Sequence, residues 1–115
     1  MSVTIKEGPR YAFDDLIFYA LGGCICIEDN RDGSANFVVP DEFRQRAVQL
    51  NREAKRMYTM PDPWRRRMAD RHAALTRAIG CMADCYRDAK DQGDPTDPNV
   101  LKQLRRERKQ AALIL

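Results

Sequence analysis

The stretch YAFDDLIFYALGGCICIED, residues 11–29, decides how the chain is read. It can be divided at Gly22-Gly23. Before the glycines, Phe13, Leu16, Ile17 and Ala20 recur at helical spacing, and Asp14 and Asp15 suit the positive end of a helix dipole. The spacing therefore predicts a first helix over Tyr11–Leu21, stopped by the glycine pair. After the glycines, Cys24-Ile25-Cys26-Ile27 is short, apolar and β-branched. A second such run, Asn36-Phe37-Val38-Val39, follows the turn formers Glu28-Asp29-Asn30-Arg31-Asp32-Gly33. These two runs predict a β-hairpin near 24–39. One hairpin cannot stand alone and must pack on helices.

Outward from this stretch, Pro40-Asp41 opens a second helix, with Asp41 as its expected cap. Phe43, Ala47, Leu50, Ala54 and Met57 alternate steps of four and three, which makes a one-faced apolar stripe. Pro61 and Pro63 end it near Tyr58. Asp62-Pro63 starts a third helix expected to run unbroken to about Asp91. It carries Trp64, Met68, Leu75, Ile79, Met82 and Tyr86 on one face. On another lie the small residues Ala69, Ala73, Thr76, Gly80 and Ala83, so it is expected to be central, with Gly80 admitting a close neighbour. Asp91–Asp94 and Pro95 form a linker, and Asp97-Pro98 begins a last helix over Pro98–Leu115. Its end, Leu113-Ile114-Leu115, is expected either to dock on the body or to meet another chain. Ser2–Lys6 is a short strand or a frayed end. Together these predict one mainly α domain over 1–115, of the α+β kind: about four helices with a small β-hairpin packed on them.

The chain has 115 residues, 43% hydrophobic and 32% charged, enough to bury a core without disulfides or metals. No apolar run approaches the roughly 20 residues of a membrane span. No signal-peptide pattern opens the chain, so no membrane partner and a cytoplasmic location are expected. The net charge of +3 conceals a division. Residues 1–42 hold 3 basic and 8 acidic side chains, whereas residues 43–115 hold 17 and 9. Such segregation points to a polar partner surface.

The candidate sites follow from this division. Arg65, Arg66, Arg67 and Arg71 form one basic group, and Arg105, Arg106, Arg108 and Lys109 another. Both suit phosphates or an acidic protein. Glu28, Asp29 and Asp32 form an acidic loop able to meet an arginine-rich partner. Cys24, Cys26, Cys81 and Cys85 are spaced unlike familiar zinc sites and are read as packing residues, with Cys24 and Cys26 expected on opposite strand faces. His72, the sole histidine, has no triad spacing around it. No catalytic residue, cofactor or metal is expected, and the chain is not read as an enzyme. The function expected is a non-enzymatic interaction protein that binds and modulates a protein or nucleoprotein. One concrete form is a phage or mobile-element inhibitor such as an anti-CRISPR protein. The alternatives are a small nucleic-acid-binding regulator using the basic helices, and an assembly protein that forms homo-oligomers through its C-terminal helix.

Overall fold

A computed structural model describes residues 6–114, without the side chains of residues 111, 112 and 114. Its elements are strands β1 (Tyr11–Phe13), β2 (Leu16–Leu21), β3 (Cys24–Asp29) and β4 (Ser34–Val38). Helices α1 (Pro40–Met57), α2 (Asp62–Arg67), α3 (Ala69–Asp91) and α4 (Pro98–Ile114) follow. The possible strand at Ser2–Lys6 lies almost wholly outside the described residues.

The first helix expected from the sequence is not there. Residues 11–21 form β1 and β2, an antiparallel pair with Tyr11 opposite Phe18 and Phe13 opposite Leu16. Asp14-Asp15 is the tight turn between them, and Asp14 adopts φ 51, a left-handed conformation that aspartate tolerates. These carboxylates therefore stabilise no helix end. Gly22-Gly23 is likewise a hairpin turn rather than a helix stop. Their φ values of 57 and 77 match the positive pair that a twisted two-residue hairpin needs. The expected small hairpin is one part of a four-stranded antiparallel sheet, ordered β1-β2-β3-β4.

The helical reading failed because β2 is apolar on both sides. Phe18 and Ala20, with Ile25, Ile27 and Val38, face a core that includes Phe43, Met82, Cys85 and Ala89 from α1 and α3. Tyr19 and Leu21, with Cys24, Cys26 and Phe37, face the opposite way and pack on Leu101 of α4. A strand covered on both faces has no alternation to show, and its continuous apolar run imitates a buried helix. Cys24 and Cys26 share one face, because residues two apart in a strand point the same way; the divergence expected from the sequence misapplied that period. The architecture has three layers: α1 with α3, the sheet, and α4.

The second helix forms, but two residues early: Val39 is its N-cap, there is no side-chain cap, and Asp41 lies in the first turn instead of capping it. Its stripe packs on α3 through Ala54, Met57 and Leu75. The expected single third helix is instead two. Helicity breaks at Met68, whose φ of −95 and ψ of 3 separate α2 from α3. No proline or glycine marks the break. Trp64, on α2, does not join the core and is 52% exposed.

Nor is α3 enclosed. Ala69, Ala73, Thr76, Gly80 and Ala83 are exposed, and a Cβ added at Gly80 would meet nothing within 4 Å. The close neighbour expected at Gly80 is absent among the described residues. Gly80→Ala should therefore stabilise the protein by about 0.5–1 kcal/mol, by removing backbone freedom from the unfolded chain. Urea melts would register this as a raised midpoint at constant slope.

α4 starts at Asp97-Pro98 as expected, where the Asp97 Oδ1 accepts the Asn99 N–H at 2.8 Å. At its far end Leu113 is 86% exposed, so its side chain does not dock on the body. Among the described residues no helix is long and apolar enough to cross a membrane.

Candidate functional site

The sheet places the charged end of β3 beside α4, and that joins two groups which the sequence kept apart. Glu28 lies on the same strand face as Cys24 and Cys26, and Arg105 lies one helical turn beyond Leu101. The Arg105 guanidinium reaches the Glu28 Oε1 at 2.6 Å, and both side chains are less than one-fifth exposed. It also donates to the Cys26 Sγ at 3.1 Å. The Tyr19 hydroxyl donates to the same Glu28 oxygen at 3.0 Å. Arg10 sits 3.8 Å from the other Glu28 oxygen, pairs with Glu7 at 3.0 Å, and lies 4.5 Å over the Tyr19 ring. Glu28 and Arg105, taken from the sequence as members of opposite docking patches, thus satisfy each other. Burial pushes the Tyr19 hydroxyl and the Cys26 thiol up, which keeps both protonated at neutral pH.

The remaining acidic loop is organised locally. Asp29 holds Arg31 through paired contacts of 3.1 and 2.9 Å, and the Arg31 guanidinium lowers the Asp29 carboxyl. Asp32 accepts the Ser34 N–H at 2.8 Å, and bonding to Ser34 lowers its carboxyl. These are turn-forming bonds of the kind aspartate makes to its own loop.

The first basic group divides in the same way. Arg71 is held by both Asp14 oxygens, at 3.1 and 2.8 Å, and lies 5.0 Å over the Phe13 ring. Arg65 is paired with Asp62. Arg66 and Arg67 project outward, and among the described residues neither has an acidic partner. Arg67 lies 5.4 Å over the Trp64 ring. Tyr58, at the end of α1, is 65% exposed and meets His72 edge-on at 4.9 Å. The lone histidine thus packs edge-on against an aromatic ring. In the second basic group, Arg106, Arg108 and Lys109 are exposed on α4.

What the sequence reading missed is the aromatic component. Trp64 and Tyr58 had been assigned to a core face and to a helix end. Both rings are exposed instead, Trp64 under the Arg67 guanidinium on α2 and Tyr58 against His72.

The chain matches no protein-family model, no curated protein and no solved structure. Its own geometry is therefore what speaks to function. Among the described residues no group of three or more His, Cys, Asp or Glu side chains is placed to hold a metal ion. The thiols are free: Cys24, Cys26 and Cys85 are buried, and Cys81 is partly exposed.

Burial, reinforced by Asp88, pushes the Cys85 thiol from 9.0 up to about 12. Burial and the hydrogen bond to Asp88 push Tyr11 from 10.0 up to about 12. Each group holds its proton more tightly folded than unfolded. Their contribution to stability is thus complete below about pH 9 and is lost as pH rises toward about 12. Urea midpoints in reducing buffer should fall between about pH 8 and about pH 10.5. An alkylating reagent applied to the native protein should label Cys81 first and the three buried thiols only on unfolding.

Proposed function

We propose that this protein is a non-enzymatic docking protein that binds and modulates an acidic protein or nucleoprotein through the exposed α2 side chains Trp64, Arg66 and Arg67. The observation that supports it most is the exposure of Trp64 (52%) beside Arg67, which like Arg66 has no acidic partner among the described residues. Tryptophan, tyrosine and arginine are the residues that most often dominate binding energy at protein interfaces. A half-exposed indole with a guanidinium over it supplies apolar area and charge together. The narrower reading, an inhibitor of a host-defence nucleoprotein, draws on small size and the lack of recognisable motifs.

The test is affinity purification from the native host, comparing the wild-type chain with the triple variant Trp64→Ala, Arg66→Glu, Arg67→Glu. All three side chains are exposed, so the variant should fold. Expected is one specific partner held by the wild type and by Arg46→Glu, an exposed α1 control, and lost from the triple variant. Equal capture by all three proteins would refute the reading.

A second reading is favoured by the same Trp64–Arg67 pair, because an exposed ring beside cations also stacks nucleic-acid bases. A protein that binds single-stranded RNA or DNA through this pair should lose affinity steeply between about 50 and about 200 mM salt. Absence of binding at low salt excludes it.

A further inference from the structure

The Glu28–Arg105 contact lines a cleft between the β2–β3 face and α4. The hollow in front of it measures about 370 Å³. That is near the small end of the range of about 300–1,000 Å³ for ligand pockets. Its floor is apolar: Leu21 and the Tyr19 ring from the sheet, and Leu101 and Leu104 from α4. Its mouth is cationic. Arg10, Arg105, Arg108 and Lys109 line it, against the two carboxylates of Glu7 and Glu28.

Those two carboxylates are already engaged. Glu28 is held by Arg105 at 2.6 Å and by Tyr19 at 3.0 Å, and Glu7 by Arg10 at 3.0 Å. Arg108 and Lys109 are left, with no acidic partner among the described residues, one turn beyond Arg105. An occupant must therefore present apolar surface inward and negative charge outward. A cation would be repelled, and a wholly apolar molecule would leave the charges at the mouth unused.

We propose that this cleft binds a small organic dianion, with an aromatic or short aliphatic body on the Leu101–Leu104–Tyr19 floor and a phosphate or paired-carboxylate head against Arg108 and Lys109. Arginine recognises both head groups through paired N–H bonds. Such a ligand would touch the sheet and α4 at once and so hold the two together. The site does not include Trp64, Arg66 or Arg67.

The test is a titration of isotope-labelled full-length protein followed by NMR, with phenyl phosphate and benzylmalonate as probes and inorganic phosphate as control. Expected are saturable shifts at the backbone amides of Tyr19, Leu21, Leu101 and Leu104 with at least one organic probe. That probe should bind at least about tenfold more tightly than inorganic phosphate. Arg108→Gln with Lys109→Gln should weaken binding about tenfold; both side chains are exposed, so melting should be unchanged. Trp64→Ala should leave binding as it is. The proposal is overturned if neither organic probe gives saturable shifts in the cleft. It is equally overturned if inorganic phosphate binds as well as they do, or if the double variant binds normally.

Discussion

Gly23→Ala is expected to lower the unfolding free energy by about 2–5 kcal/mol, combining left-handed strain with a steric clash. Gly23 has φ +77, and a Cβ there would lie 2.8 Å from the Gly93 carbonyl oxygen and 2.9 Å from that of Asp94. Those atoms are backbone and cannot swing aside. They belong to the linker between α3 and α4, which is stitched to the β2–β3 turn at several points. The Gly23 N–H donates to the Gln92 Oε1 at 2.9 Å, and the Thr96 N–H donates to the Gly22 carbonyl at 2.8 Å. The Cys24 thiol donates to the Thr96 carbonyl at 3.2 Å. Pushing the linker away would break this set together. Gly33 supplies the control: its φ is +71, but a Cβ there would meet nothing within 4 Å. Gly33→Ala should cost only the strain, about 1–2 kcal/mol. Urea melts of the two variants would separate strain from close approach. Equal losses would mean that the linker does not press on Gly23.

Phe43→Ala is the second large effect, about 3–5 kcal/mol. Phe43 is 2% exposed and meets the Phe18 ring at 5.5 Å, tying α1 to the sheet. It also borders two hollows, of about 420 and 210 Å³. Removing the ring would join them, so the vacated space cannot close without moving a helix. Val48→Ala, on the exposed side of the same helix, should stay within about 0.5 kcal/mol of wild type. A Phe43→Ala loss no larger than that of Val48→Ala would show that α1 repacks freely.

The mixed helix-and-strand character and the last helix were legible because their signals are local: the five-residue stripe from Phe43 to Met57, and Asp97-Pro98. The β3–β4 hairpin was legible from Glu28–Gly33. The first two strands were not. Their inward and outward faces are both apolar, and a helical pattern in Phe13, Leu16, Ile17 and Ala20 competed successfully. The charged residues were legible as types, and their pairing was not. Glu28 and Arg105 are 77 residues apart in the chain, and only the sheet register with the packing of Leu101 brings them together. Arg71 and Asp14 meet for a similar reason, across β1 and α3. The exposure of Trp64 was not legible either, because its spacing with Met68 and Leu75 is that of a core face and no proline or glycine separates α2 from α3.

The sheet is a plain meander, in which every hydrogen-bonded neighbour is also the next strand along the chain. Its contacts close short loops, so the four strands can assemble early and at little entropic cost. α4 stands at the other extreme. Leu101 is its one fully enclosed side chain among the described residues, and its attachment waits on the closure that brings Thr96 to Gly22. Native-state amide exchange should therefore divide the molecule into a slow unit of sheet, α1 and α3 and a fast C-terminal unit. The helix that walls the cleft would be the part that detaches and returns while the rest stays folded.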